Sequence, residues 1–247
     1  MNFHRIAYEA LDVCNAVEMA TLDERLRATG LAQGARALDI GCGNGAVSIR
    51  LAERFGLLVD AVELDPGMAD LARSRIKASE ARGRVTLHEA RSDAVLAKAG
   101  PWDLIVALGV TEPVGGGVRE PQGMFSGLRT HLAPGGWLLW GDLVFRSEPS
   151  PPVRQLVEAH NTYADHQGWQ AAARHAGFEV VSAQISAPDI WDAYGQTMQT
   201  AVADWLSAHA DHTDAGAVAG AAHRLKLMFD FGQGALGFGL YLLRHPG

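Results

Sequence analysis

The chain has 247 residues, 48% of them hydrophobic, enough for one sizeable globular unit with a full core. Lys and Arg number 21 against 28 Asp and Glu, a net charge of −7, and no long basic run occurs; this argues against a nucleic-acid phosphate track or a membrane-surface helix. The two cysteines, Cys14 and Cys42, have no metal-ligand spacing and no disulfide framework, so no metal site is expected.

Residues 1–12 lack the charged start and apolar run of a signal peptide, and no apolar stretch reaches membrane-spanning length; a soluble, cytoplasmic protein is expected. Residues 1–21 are the least regular segment. Tyr8, Asn15 and Glu18 show no clear period, and the arm reads either as a surface extension or as a flap over a ligand mouth. Residues 21–32 read as a helix with Leu22 and Leu26 on one side. Residues 35–40 then read as a short buried strand. Gly41, Gly43 and Gly45 make a turn without Cβ atoms, and Val47, Leu51, Ala52 and Phe55 supply an apolar stripe at helical spacing. Strand, glycine turn and helix in that order bring bare backbone N–H groups to a ligand at a helix N-terminus, which is the arrangement of a nucleotide-cofactor site. Cys42, inside the turn, reads as a small space-filler rather than a nucleophile.

Residues 57–64 read as a second strand. Asp65 is placed to cap, and Pro66 to open, a helix that buries Met68, Leu71, Ala72 and Ile76. Residues 85–90 form a third strand, ending near Asp93, a carboxylate suited either to accept from an adenine amine or to cap the next helix. The nearly all-apolar run 102–108 fits a central strand covered on both faces. A glycine-rich loop over 109–117, a helix over 122–132, a turn at 134–136 and a fifth strand over 137–143 follow. The proline-rich stretch 147–152 is the expected hinge or lid boundary. It precedes a polar segment holding His160, Tyr163, Asp165 and His166. A helix over 167–176 and a strand over 178–186 resume the alternation, which implies right-handed crossovers and a doubly wound parallel sheet. Residues 189–232 hold two helical stripes, one of Trp191, Tyr194, Met198, Val202 and Trp205, the other of Val218, Ala221, Leu225 and Phe229. Residues 236–244 close as a final strand.

Which cofactor the turn holds is open between two chemistries. Gly41-x-Gly43-x-x-Ala46 with Glu63 also fits the dinucleotide fingerprint. Asp39 argues against that reading, because a carboxylate at the strand tip repels a pyrophosphate but suits an ammonium group. S-adenosylmethionine has no phosphate. Asp39 near its amino-acid end and Glu63 on its ribose hydroxyls form a coherent division of labour.

These residues together resemble the class I S-adenosylmethionine-dependent methyltransferases. The run Asp39-Ile-Gly-Cys-Gly-Asn-Gly45 is similar to that family's glycine motif, Val62 to Met68 to its ribose-binding strand end, and Ser92-Asp93-Ala94 to its adenine-side motif. Residues 102–106 and 132–140 resemble its fourth strand and its turn into the fifth. The resemblance implies one domain over 1–247, a Rossmann-like three-layer αβα sandwich. Its seven-stranded, mostly parallel sheet ends in an antiparallel last strand inserted beside the sixth. It divides the chain into an N-terminal helical arm (1–34), a cofactor-binding core (35–146) and a helical lid insertion (188–232) between the last two strands. The implied cofactor is S-adenosyl-L-methionine, with S-adenosyl-L-homocysteine as product. Its contacts fall on Asp39, Gly41, Cys42, Gly43, Asn44, Gly45, Glu63, Leu64, Met68, Asp93, Ala94 and Leu108.

The substrate pocket is expected outside the C-terminal strand ends, lined by Tyr8, Asn15, Val110, Glu112, Tyr163, Trp191 and Tyr194. Glu112 either orients a substrate or fixes its own loop. His160 and His166 are the candidate bases, needed only for a nucleophile protonated at working pH. The expected partner is a small molecule, with no nucleic acid and no membrane, acted on by a monomer or homodimer. The rival readings are a cofactor-binding sensor or partner subunit without turnover, and a dehydrogenase.

Overall fold

The computed structural model describes residues 2–159 and 161–247, so His160, one of the candidate bases, lies outside the described residues. The chain opens with α1 (Phe3–Glu9) and α2 (Met19–Thr29). It then alternates through β1 (Arg36–Ile40), α3 (Ala46–Phe55), β2 (Leu58–Glu63), α4 (Pro66–Ala78), β3 (Val85–Glu89), α5 (Ser92–Leu96) and β4 (Trp102–Leu108). Next come α6 (Pro121–Arg129), β5 (Leu132–Phe145), α7 (Pro151–Val157), a two-residue β6 (Ala164–Asp165), α8 (His166–His175) and β7 (Glu179–Ile185). Two long helices, α9 (Pro188–Ala208) and α10 (Ala215–Gly232), lead to β8 (Leu236–Arg244).

The strand order is β3-β2-β1-β4-β5-β8-β7, with β6 pairing β5 off that path. Neighbours from β3 to β5 are parallel, and β8 runs antiparallel to both β5 and β7. This is the expected mostly parallel sheet with an inserted antiparallel last strand, extended by the short β6. The order reverses between β1 and β4, where Ile40 pairs with Ala107. Chains leaving these two strands diverge to opposite faces, which opens a crevice at their C-terminal ends.

Each strand feeds both faces because side chains alternate along it. Ala37, Leu104, Val106 and Leu139 face a layer that includes Leu22, Leu51, Ala52 and Trp191. Leu38, Ile40, Ile105 and Trp140 face a layer of α5, α6 and α8, with Phe125 and Trp169 at its centre. Phe125 meets Trp140 edge-on at 5.2 Å and Trp169 at 5.8 Å between ring centres, geometries that aromatic quadrupoles favour. A third cluster joins Ile6, Ala7 and Leu11 to Met198, Val202 and Val218, so the N-terminal arm packs on the α9–α10 pair.

Three local features differ from the sequence expectation. The arm is irregular only over residues 10–18: residues 3–9 form α1, which Asn2 caps by accepting from the Arg5 N–H at 2.9 Å. A helix of 7 residues is too short to display a period. The proline-rich stretch contributes Pro151 to the first turn of α7, where proline's missing N–H does no harm, rather than forming an open hinge. The helix α2 stops at Thr29 because Gly30 takes a left-handed conformation, φ 64°, and ends it.

Phe125 is 1% exposed and Phe231 67% exposed. Phe125→Ala is therefore expected to lower unfolding stability by about 3–5 kcal/mol in denaturant titrations, and Phe231→Ala to change it by no more than about 0.5 kcal/mol.

Candidate functional site

A cleft of about 510 Å³ lies over the C-terminal ends of β1, β2 and β4, at the sheet's reversal point. Ile40, Gly41 and Gly43 form its floor, Val62 to Asp65 and Met68 one wall, and Leu108 to Glu112 the other. Ala90, Arg91 and Ser92 close one end, while His4, Tyr8, Cys14 and Asn15 of the arm cover the top. Glycine is required where the walls approach. A Cβ on Gly41, φ 67°, would stand 2.8 Å from Val110 Cγ2, and one on Gly43, φ 56°, 3.0 Å from Cys14 Sγ.

Glu63 ties the cleft together. Its Oε2 accepts from the Gly43 N–H at 2.9 Å, and its Oε1 from the Leu64 and Asp65 N–H groups at 2.8 Å each. Burial raises its pKa, and the three backbone donors oppose that rise. A carboxylate has about four lone-pair sites, so acceptor capacity remains on Oε2 toward the cleft. The turn's N–H groups are otherwise engaged: Gly45 N–H bonds Cys42 O, and Ala46 N–H bonds Asn44 Oδ1 at 3.0 Å. Asp39 lies beneath the turn, buried, with Oδ2 accepting from Ser48 Oγ at 2.5 Å. Burial lifts its pKa to about 6, the Ser48 hydroxyl working against the rise and the Glu63 charge adding to it.

The arm is strapped down by asparagine amide donors. Asn44 Nδ2 donates to Leu11 O at 2.8 Å and Tyr8 O at 3.3 Å. Asn2 Nδ2 donates to Asp65 Oδ2 at 2.6 Å, and Asn15 Nδ2 to Leu108 O at 3.2 Å. The Tyr194 hydroxyl donates to Cys14 O at 3.3 Å, and burial raises the phenol pKa values of Tyr8 and Tyr194. Cys14 is likewise pushed up by burial, to about 11, which keeps it a neutral thiol.

Of the residues singled out in the sequence, Gly41, Gly43, Glu63, Leu64, Met68, Leu108, Tyr8, Asn15, Val110 and Glu112 line the cleft together. Cys42, Asn44, Gly45 and Asp39 lie below or behind it. Asp93 and Ala94 are outside its lining, and the Asp93 carboxylate is taken by Arg91, with Nη2–Oδ2 at 3.1 Å. Arg91, unremarkable in the sequence, is the side chain that reaches the cleft there. Glu112, in a left-handed conformation at φ 54°, accepts from Arg119 Nε at 2.7 Å, which holds its pKa low. Trp191 is a core residue, packed on Phe229 at 5.0 Å, and does not line the cleft. Its place in a helical stripe marks burial, not access. Tyr194, behind Tyr8, and Tyr163 are outside the lining as well. His166 is outside it too: it opens α8, its Nδ1 is 3.2 Å from the Tyr241 hydroxyl, and burial lowers its pKa.

Sequence reasoning misses Asp142. It sits in β5 one residue past Gly141, whose carbonyl accepts from the Gly109 N–H at 2.7 Å, and it is 4% exposed. Burial raises its pKa to about 7. Its one sequence signal is an acidic residue inside an otherwise apolar strand, Trp137 to Phe145.

Residues 38–138 match a protein family described as a methyltransferase domain. The magnesium-protoporphyrin O-methyltransferase of Rhodobacter capsulatus is 34% identical over 100 residues, 40% of each chain. The tRNA1(Val) (adenine(37)-N6)-methyltransferase of Aeromonas salmonicida is 36% identical over 93 residues, 37% of this chain and 39% of that one. The matched stretch thus spans only about 40% of these relatives' length. Over nearly the whole chain, the structure superposes on a SAM-dependent methyltransferase from Geobacter sulfurreducens crystallised with S-adenosyl-L-homocysteine. The TM-score is 0.83 and the identity 24%, covering 98% of this chain and 96% of that one. The chain has the fold of the class I S-adenosylmethionine-dependent methyltransferases. No helix among the described residues is long and apolar enough to cross a membrane.

The buried Asp142 carboxyl gives a pH test with a definite sign. Its pKa is about 7 when folded and about 3.9 when unfolded, so the folded chain holds this proton more tightly. The resulting stability is complete below about pH 4 and is lost as pH rises through 7. Asp142→Asn, which never charges, is expected to gain in melting temperature relative to the wild type between about pH 5 and about pH 8. A difference that stays constant across that range contradicts the assignment.

Proposed function

We propose that the protein is an S-adenosylmethionine-dependent methyltransferase acting on a small molecule. The observation that carries the cofactor choice is the Gly43 N–H···Glu63 bond. A dinucleotide's pyrophosphate needs the glycine-turn N–H groups free and no anion beside them. Here a carboxylate occupies that N–H, and Asp39 lies just beneath. The same groups fit a phosphate-free cofactor. Glu63 Oε2 has acceptor capacity for a ribose hydroxyl, the Gly41–Gly43 backbone admits the thioether chain, and the Arg91 end accommodates the base. When bound, the sulfonium supplies an electrophilic methyl group, so the difficult step belongs to the cofactor.

What the chain contributes is position and dryness. Tyr8 and Asn15 cover the cleft from above and Val110 closes its β4 wall. Holding a nucleophile in line with the reacting bond is worth on the order of 7–11 kcal/mol. The helical arm and the α9–α10 pair, joined through the Ile6–Met198 cluster, serve as the lid, and the domain reading of one continuous unit with such a lid rests on this packing.

A small-molecule substrate is favoured over RNA, although a tRNA methyltransferase is among the relatives. The similarity there is confined to about two-fifths of the chain, and an RNA path calls for a basic track. The cleft instead shows Glu63, Asp65 and Glu112 against Arg91, on a chain of net charge −7. A substrate-free sensor with this fold would bind the cofactor and turn nothing over.

Calorimetry is expected to show S-adenosylmethionine and S-adenosylhomocysteine binding at micromolar concentration and NAD not binding. Glu63→Gln is expected to weaken the sulfur nucleotides about 10–100-fold, the worth of a hydrogen bond to a charged group. NAD binding with no sulfur-nucleotide binding overturns the reading.

A further inference from the structure

Next to the cleft lies a polar cluster that neither core packing nor the cofactor seat explains. Asp142 Oδ1 accepts from the Leu143 N–H at 2.8 Å, while Oδ2 is buried without a partner among the described residues. Asn161, in the segment leading to β6, is 5% exposed, and its Oδ1 is also buried with no partner among the described residues. Tyr163 links the two. The parallel pairing of β6 with β5, Val144 opposite Ala164, runs residues 161–163 alongside Asp142, and the Tyr163 phenol pKa is raised chiefly by burial and further by the Asp142 charge. Tyr163 packs against both core layers of the sheet. Val110 completes the connection, since it lines the cleft and packs on the same core face as Trp140 and Val144, the face Asp142 shares.

An orphaned buried acceptor costs about 1–3 kcal/mol, more for a charged group. Two in one cluster, at the edge of the sheet where ligands bind, are a poor way to build a core and a good way to receive hydrogen-bond donors. The groups facing Asp142 fit this. Tyr163 on the β6 approach and Tyr241 on β8, opposite Trp140, are the phenols that feel its charge, and Asp165 and His166 lie beyond, His166 against the Tyr241 hydroxyl. With Glu63, Asp65 and Glu112 in the cleft lining against the single arginine Arg91, the balance of charge disfavours an anionic substrate.

We propose that Asp142, Asn161 and Tyr163 form the substrate seat, and that it takes a neutral or cationic small molecule whose nucleophile is a proton-bearing hydroxyl or amine. This rests on the cofactor reading above. The substrate donates to Asn161 Oδ1 and, from the nucleophile, to Asp142 Oδ2. As the nucleophile's lone pair takes the methyl carbon, the displaced carbon–sulfur pair stays on sulfur and Asp142 takes the nucleophile's proton. The carboxylate's negative charge and the sulfonium's positive charge disappear in the same step, and Asp142 later returns the proton to solvent. A carboxyl that titrates near neutrality is matched to this task, since an effective base has a pKa near the working pH.

The test uses the full chain, labelled with carboxyl-13C aspartate and loaded with S-adenosylhomocysteine, titrated with benzylamine, benzyl alcohol and benzoate. Asp142→Asn identifies the Asp142 resonance. The amine or the alcohol is expected to shift that resonance and benzoate to leave it in place, while Asn161→Ala weakens the donor probe about 10-fold. No shift with either donor, or an equal shift with benzoate, overturns the seat. With S-adenosylmethionine and the bound donor probe, methyl transfer is expected to rise through about pH 7 to a plateau. Asp142→Asn is expected to remove that limb and about 100-fold of kcat, with the cofactor's Kd unchanged. Transfer that is absent in the wild type, or undiminished in the variant, removes the proton-accepting role. S-adenosylhomocysteine binding is measured first: its failure counts against the cofactor reading, whereas silence from the probes on a loaded protein counts against the seat alone.

Discussion

The bond from the Gly43 N–H to the Glu63 carboxylate, 2.9 Å long, fixes the geometry on which the rest of the site depends. It pins the loop after β1 to the tip of β2, two strands that the parallel ladder has already brought side by side, with Ile40 opposite Val62. The same carboxylate receives the two N–H groups that follow it, so the chain turns sharply into α4, where Asp65 caps the helix by accepting from the Met68 N–H at 3.0 Å. One side chain thereby orders both walls at that end of the cleft. It also places negative charge where a phosphate-binding turn has none.

The second constraint is the cover. Asn44, in the glycine turn, donates to two carbonyls of the N-terminal arm, and Asn15 of that arm reaches back to the Leu108 carbonyl at the end of β4. The arm is therefore held from both sides of the crevice by polar contacts, while its apolar face packs on α9 and α10. Contacts of this kind release more readily than a core does, because each trades for a bond to water at a net cost of about 0.5–1.5 kcal/mol. A cover attached in this way can admit a ligand without disturbing the sheet.

How much of this is legible in the sequence follows from the range of each signal. Strands β1, β4 and β8, the glycine turn and the Asp65 cap are readable because local patterning and backbone geometry dictate them. The run Trp102–Leu108, for instance, is nearly all apolar because it is covered on both faces. Residues whose role depends on distant partners are not legible. Asp93 looks like a ligand contact, yet the neighbouring Arg91 claims its carboxylate. Trp191 stands on a helical stripe that marks a core face. Asp142 draws no notice because what sets it apart is that its own Oδ2 and Asn161 Oδ1 find no partner among the described residues, which only three-dimensional packing reveals.

The most direct measurement is a crystal structure of the chain with S-adenosylhomocysteine. The nucleotide is expected in the cleft between Gly41–Gly43 and Leu108–Glu112, its ribose on Glu63, its base toward Arg91, and its sulfur turned toward Tyr8 and Val110. Density for the ligand elsewhere, or a ribose that makes no contact with Glu63, would contradict it.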